Sequence, residues 1–133
     1  MRTRVLRVGV DDLPLPGMVD GRGEVRAVVR PGVQARYRSL HYLVLRPKAR
    51  TVPHQHNDAE AVYYVVQGTG CIEDLSDRYV HSVSAGSFVL IAASTRYSIV
   101  AGELRTMICV GGPCPPDPLL YQTIYSKTPE VPS

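Results

Sequence analysis

Short apolar and β-branched runs recur along the chain, and glycine, proline, aspartate or serine separates each run from the next. About nine such runs follow one another, roughly eight to twelve residues apart. They read GEVRAVVR, ARYRSLHYLVLR, RTVPHQH, AVYYVVQG, GCIEDL, RYVHSVSAG, SFVLIA, TRYSIVAG and LRTMICVGG. Short strands at regular spacing are typical of a β-sandwich or a β-barrel. We therefore predict an all-β fold.

Turn residues predict how some of these strands are joined. Leu75–Arg78 and Ala101–Leu104 carry the aspartate or glycine that hairpin turns favour, so we predict a hairpin at each. Near the end, Asp117 followed by Pro118 predicts the start of a short helix through Tyr125, because proline fits the first helical turn. An added strand there is nearly as consistent with the sequence.

Length and composition indicate a single globular domain over residues 1–133. The chain has 133 residues, 44% hydrophobic residues and a net charge of +3, which is sufficient for a real core and argues against wholesale disorder. We divide it into an N-terminal arm (1–35), a barrel core (about 36–111) and a proline-rich tail (112–133). The arginines are scattered, which indicates solvated strand faces and no nucleic-acid surface.

Other features bear on the cellular location. The N-terminus lacks the sustained apolar core of a secretory signal, and no stretch is long and apolar enough to span a bilayer. Cys71, Cys109 and Cys114 form neither an even set nor a CxxC pair, which argues against a disulfide framework or a zinc knuckle. We expect a cytoplasmic protein with no membrane partner.

The stretch PHQHNDAEAVYYVVQG places two histidines one residue apart. Residues two apart on a strand point to the same side, so His54 and His56 are parallel arms about 7 Å apart. Imidazole nitrogens from such arms can meet at one metal ion. A solvent-facing pair is a common alternative, so this motif carries weight only with its surroundings.

Those surroundings resemble the cupins, a superfamily of small β-barrels (a double-stranded β-helix, or jelly roll). The first cupin motif is glycine, five residues, HxH, three or four residues, glutamate, six residues and glycine. It maps onto Lys48, His54, His56, Glu60 and Gly68. The second motif, glycine, five residues, PxG, two residues and histidine, maps onto Gly86, Ala92, Ser94 and Tyr97. The resemblance covers roughly residues 43–110.

The resemblance implies a divalent metal ion, such as Fe, Zn, Mn or Ni, bound by His54, His56, Glu60 and Tyr97. Tyr97 stands where the family has its last histidine ligand. The position of Glu60 is also ambiguous, because counting back from Gly68 puts Ala61 in the glutamate slot. Strand alternation would then turn Ala61 inward and Glu60 outward unless a bulge intervenes.

Several residues have expected roles beside the ion. Tyr97 and Glu60 are the predicted catalytic residues, with Tyr97 as proton donor or hydrogen-bond anchor. A buried Tyr97 hydroxyl needs a partner, and the candidates are Glu60, a metal-bound water or the substrate. Tyr63 is predicted to line the substrate pocket. We expect His41 to be a packed strand histidine and assign no role to His81.

Two classes of function follow from the resemblance. The first is a metal-dependent enzyme acting on an aromatic or polyketide-like small molecule in bacterial secondary metabolism, with cyclase, dioxygenase or lyase chemistry. The alternative is a non-catalytic barrel with a degraded metal site that binds or senses a small molecule. Similar cupins pair as homodimers, so we expect a homodimer in which the N-terminal strand, Thr3 to Val10, crosses to the partner.

Overall fold

The computed structural model describes residues 5–9, 13–33, 35, 37–118 and 120, and their regular structure consists of β-strands. The bounds are β1 Leu13–Pro14, β2 Val19–Asp20, β3 Gly23–Val29, β4 Leu40–Leu45, β5 Arg50–Thr51, β6 Glu60–Gln67, β7 Thr69–Asp74, β8 Tyr79–Ser84, β9 Phe88–Ile91, β10 Tyr97–Ala101 and β11 Met107–Cys114. The prediction of an all-β fold is confirmed.

The strands form two antiparallel sheets whose inner faces enclose the core. A six-stranded sheet has the order β1-β3-β4-β11-β6-β9, and a five-stranded sheet has the order β2-β5-β10-β7-β8. Inward positions of both sheets join one apolar cluster, which includes Leu45 on β4, Val65 on β6 and Ile99 on β10. Burying apolar side chains between two sheets is the main favourable term in stabilising this fold.

Strand β6 shows how alternation divides the barrel into inside and outside. Ala61, Tyr63 and Val65 are buried, whereas Glu60 is exposed. The pairing of β6 with β11 also depends on a glycine, because Gly111 lies opposite Tyr63 at φ +154°. A Cβ on Gly111 would lie 1.9 Å from the Val62 carbonyl oxygen, so no side chain fits there.

The two predicted hairpins had different outcomes. Residues Leu75–Arg78 join β7 to β8, which pair with each other, so this hairpin is confirmed. The hairpin at Ala101–Leu104 is wrong, because β10 pairs with β5 and β7 whereas β11 pairs with β4 and β6. This connection instead carries the chain from one sheet to the other, as a jelly roll requires.

The cupin motifs have glycine at two positions where this chain has Lys48 and Ser94. Both residues nevertheless keep a backbone conformation that favours glycine. Lys48 has φ +72° and Ser94 has φ +62°, both in the left-handed region. Ser94 is tied to the histidine segment, since its N–H donates to the His56 carbonyl at 2.8 Å and its hydroxyl donates to the Asn57 carbonyl at 3.1 Å. The second-motif turn is thereby fixed against the first motif.

The sheets extend beyond the predicted core at 36–111. They include β3 and reach Cys114 at the end of β11. The predicted N-terminal strand lies partly outside the described residues, and the described part, residues 5–9, joins no strand there. The predicted C-terminal helix lies mostly outside them. Among the described residues, no helix is long and apolar enough to cross a membrane.

Candidate functional site

The two motif histidines are held in place by backbone pairing with the start of β10. His54 N–H donates to the Tyr97 carbonyl at 3.1 Å, and Tyr97 N–H donates to the His54 carbonyl at 2.9 Å. His56 follows two residues later on the same side of the chain and is buried. The HxH segment is therefore joined through its main chain to Tyr97, the residue that stands where the second cupin motif has its histidine.

The hydroxyl of Tyr97 lies at the centre of the site. Its oxygen is 3.1 Å from Nε2 of His54, 2.8 Å from Nε2 of His56 and 2.8 Å from the hydroxyl of Tyr63. Tyr97 is completely buried. Of the partners that we expected for this hydroxyl, Glu60 is excluded by its outward position, and the protein itself supplies three others.

Each histidine also has an acceptor at its second ring nitrogen. Nδ1 of His54 lies 2.7 Å from the carbonyl oxygen of Val52, and Nδ1 of His56 lies 2.8 Å from Oδ2 of Asp117. Such partners fix the orientation of an imidazole ring. Asp117 is itself buried, which places a carboxylate and an imidazole together inside the barrel.

These contacts assign the proton of His54 and a partner for the Tyr97 proton. Burial lowers the pKa of His54, so its ring is neutral, and Nδ1 must donate because a carbonyl only accepts. Nε2 of His54 is then an acceptor, which takes the single Tyr97 proton. The Tyr97 oxygen accepts from the Tyr63 hydroxyl, and the tautomer of His56 decides which of its two nitrogens donates.

The tyrosines at the centre stay protonated. Burial raises the pKa of Tyr97 far above its usual range, and the neighbouring Tyr63 raises it further. Burial also raises the pKa of Tyr63 to about 12, against the smaller opposing effect of its hydrogen bond to Tyr97. Both side chains are therefore neutral phenols, which donate and accept hydrogen bonds but do not carry a negative charge.

Two more residues lie in this region: His41, which was expected to be a packed strand histidine and is one, and Asp117, whose contact with His56 was not predicted. His41, on the inward face of β4, is buried, and its pKa falls to about 4 through burial and through the nearby His56 and His54. His41, Leu43 and Leu45 occupy alternate positions along β4, and this alternation is the sequence signal that His41 faces inward. Asp117 was interpreted only as a helix cap, and no local pattern connects it to His56, which lies 61 residues earlier.

The residues present do not fit the expected metal ion. The Nε2 atoms of both histidines are directed at a protonated hydroxyl, and a neutral phenol is a poor ligand for a divalent ion. The expected ligand Glu60 is corrected, because it lies on the outer face with Val62 and Tyr64. Within the described residues, no group of three or more His, Cys, Asp or Glu side chains is placed to hold a metal.

A cleft of about 460 Å³ ends against Tyr97. It lies between the edge strands β8 and β9, which follow each other in the chain but belong to different sheets. Ile72, Val89 and Ile91 give it apolar walls, and Asp74 at the end of β7 and Asp77 in the β7–β8 turn add carboxylates. Its volume is within the range of small-molecule pockets.

Comparison with known proteins supports the fold. No family model and no curated protein sequence matches this chain. Among solved structures, a predicted oxalate decarboxylase from Thermotoga maritima is similar with a TM-score of 0.70 at 16% identity, over 84% of this chain and 100% of that one. A cupin-like protein from the same organism is similar with a TM-score of 0.66 at 18% identity, over 74% and 72%.

A third similar structure is the polyketide cyclase RemF from Streptomyces resistomycificus, with a TM-score of 0.60 at 21% identity over 92% of this chain and 94% of that one. At such low identity, these likenesses establish architecture and not activity. The chain has the cupin fold, and its structural neighbours include proteins described as enzymes.

Proposed function

We propose that this protein is a small-molecule enzyme with a cupin fold that performs acid–base chemistry next to a carbonyl group of an aromatic or polyketide-like substrate. The observation that carries the proposal is the Tyr97 hydroxyl, which contacts Nε2 of both His54 and His56. A hydroxyl donor beside a neutral imidazole supplies an acid and a base within a few ångströms of each other.

The proposed step begins when a substrate carbonyl oxygen approaches Tyr97. The Tyr97 proton turns from Nε2 of His54 to that oxygen, which frees the lone pair of His54. Nε2 of His54 then takes a proton from the carbon next to the carbonyl. The C–H bond breaks, its electron pair forms an enolate, and the Tyr97 O–H stabilises the enolate oxygen. Return of the proton to carbon restores the site.

The cleft supports the choice of substrate. Its apolar walls favour a flat organic body, and the carboxylates of Asp74 and Asp77 disfavour an anionic ligand such as a sugar phosphate or a dicarboxylate. The likeness to a polyketide cyclase agrees with this class of substrate. The proposal uses no metal ion, because the residues around Tyr97 do not fit one.

The test uses phenylacetone, an aromatic ketone whose benzylic protons exchange slowly in D2O. We expect the protein to accelerate this exchange, followed by NMR, and Tyr97→Phe to reduce the acceleration by about 100-fold. Tyr79→Phe is the matched control, because Tyr79 is an exposed tyrosine outside the network. Protein treated with a chelator should keep the full rate. Equal rates for Tyr97→Phe and the parent would contradict the proposal.

A second candidate function is ligand binding without catalysis. It is favoured by the saturation of Tyr97, whose one proton and two lone pairs all have partners within the protein. In that case phenylacetone would bind in the cleft, detected by chemical-shift changes near Ile72 and Ile91, without accelerated exchange.

A further inference from the structure

His81 faces the inside of the barrel and is nevertheless exposed. It lies on β8 directly opposite Ile72 of β7, and residues opposite each other in an antiparallel pair point to the same side. Ile72 is buried in the core, as is Val83 two residues further along β8, so His81 shares their side of the sheet. Its imidazole is exposed because β8 is an edge strand and the cleft opens there. The structure thus places a histidine without a predicted role on a wall of the cleft that ends at Tyr97.

The imidazole of His81 is the planar surface near the opening of the cleft. Across the opening, the inward residues Val89 and Ile91 of β9 are aliphatic and pack against flat and puckered ligands alike. Phe88 also borders the cleft, but it lies opposite Tyr64 on the outer face, and the centroids of these two rings are 4.6 Å apart. The ring of Phe88 is therefore already packed on the other side of the sheet, and discrimination between ring types falls to His81.

Tyr79 restrains the His81 ring. The two residues lie two apart on β8, and their ring centroids are 4.6 Å apart with the planes inclined by 45°. A neighbour at this distance limits the rotamers that an exposed imidazole can adopt. Less conformational entropy is then lost when a ligand packs against the ring, so His81 is a preorganised contact surface.

The position of His81 matches the course of a ketone bound at Tyr97. Only β7 separates β8 from β10, the strand of Tyr97. Neighbouring strands are about 4.8 Å apart, so β8 and β10 are separated by about 10 Å. A ketone whose carbonyl oxygen approaches Tyr97 would extend its ring across β7 towards β8.

We propose that His81 is a specificity-determining residue, whose imidazole packs against the ring of the substrate and favours an aromatic ketone over a saturated ketone with the same carbon skeleton. Contacts between aromatic rings are more favourable than the buried area alone provides, and the aliphatic walls offer no such contact. The identity of the ligand rests on the proposed function, whereas the contact with His81 is tested by binding alone.

The test compares phenylacetone with cyclohexylacetone, which has the same carbon skeleton and a saturated ring. The shifts of the Ile72 and Ile91 methyl signals give the dissociation constant of each ketone. We expect His81→Leu to lower the preference for phenylacetone over cyclohexylacetone by about three- to tenfold, because leucine is apolar but not planar. His81→Phe restores a planar ring and should keep the preference. In the exchange assay, the ratio of the half-saturating concentrations should change in the same way, whereas the maximal rates should not.

Tyr37→Leu is the matched control, because it removes a 72% exposed ring in the segment before β4. It should leave the preference unchanged. An unchanged preference in His81→Leu, or an equal change in Tyr37→Leu, would overturn the inference. If His81→Leu changes the preference but the parent accelerates no exchange, the proposed reaction fails and the role of His81 stands. If neither ketone shifts the Ile72 and Ile91 signals, ketones do not bind in the cleft and both proposals fail.

Discussion

The hydroxyl of Tyr97 lies 2.8 Å from Nε2 of His56, and the backbone of the same tyrosine pairs with His54. Tyr97, which departs from the second cupin motif, is thus hydrogen-bonded to both histidines that match the first motif. The hydroxyl occupies the point at which the two Nε2 atoms converge, where the resemblance implies a metal ion. In this arrangement, hydrogen bonds connect the side chains to which the resemblance assigns a metal ion.

The parent protein should not bind a divalent metal tightly, whereas Tyr97→His should gain an ion site. In the parent, the Nε2 atoms of His54 and His56 are engaged with a neutral phenol. Replacing the phenol with an imidazole adds a third nitrogen ligand, a set that zinc accepts. Titration with Zn²⁺ in a calorimeter measures the difference, and Tyr97→Phe serves as the control that removes the hydroxyl without adding a ligand. Sub-micromolar zinc binding by the parent would contradict this account.

Substituting glycine at Lys48 should stabilise the protein. Lys48 is exposed and has φ +72°, a conformation that costs a side-chain-bearing residue roughly 1–2 kcal/mol. Glycine removes that strain but increases the entropy of the unfolded chain, so we expect a net gain of about 0.5–1 kcal/mol. Urea denaturation measures it. Lys48→Ala keeps the strain and should show no gain, and an equal gain in both variants would assign the effect to the lost charge.

Stability should fall as the pH drops from about 6.5 to about 4. His41 has a pKa near 4 in the folded state and 6.5 as its ordinary value, so the unfolded chain takes up a proton first. Its contribution is fully present above pH 6.5 and is lost towards pH 4, by about 3 kcal/mol in total.

Denaturation at a series of pH values measures that slope. His41→Gln should flatten it, whereas the exposed His81→Gln should leave it unchanged. The same slope in the parent and in His41→Gln would show that other groups govern the acid sensitivity.

The homodimer stays a prediction, and we propose the outer face of the six-stranded sheet as its interface. Phe88 and Leu90 on β9 are 75% and 66% exposed, and Val62 lies opposite Leu90 on β6. Arg38 and Glu60 line the groove on this face. A two-fold axis would set Arg38 of each copy against Glu60 of the other, which makes the surface complementary to itself.

Sedimentation at micromolar concentration tests this interface. The parent should run as a dimer and Phe88→Lys as a monomer, while Leu104→Lys, which changes a 90% exposed leucine in the β10–β11 connection, should remain a dimer. A monomeric parent would refute the homodimer. A dimeric Phe88→Lys would place the interface elsewhere.

The sequence by itself determined most of the strands and the shared direction of the histidine pair, but it left the side of the sheet occupied by Glu60 open. All of these depend on alternation and on turn residues, which act between neighbours in the chain. Counting back from Gly68 placed Ala61 inward, whereas the spacing from His56 placed Glu60 in the ligand position, so the motif spacing alone could not choose between them. The same local rules failed at Ala101–Leu104, because a turn sequence does not state which sheet the next strand joins.

Only the tertiary structure decided the chemistry of the site. Tyr97 lies 41 residues from His56, and Asp117 lies 61 residues from it. Whether such groups meet depends on the pairing of β10 and on the course of the tail. It also depends on placing atoms to within a few tenths of an ångström. A short sequence pattern encodes none of these. A tyrosine in place of a histidine was visible in the sequence. That its hydroxyl would lie between the two histidines followed only from folding, because a buried hydroxyl must find partners, and the two imidazoles and the Tyr63 hydroxyl were the partners within reach.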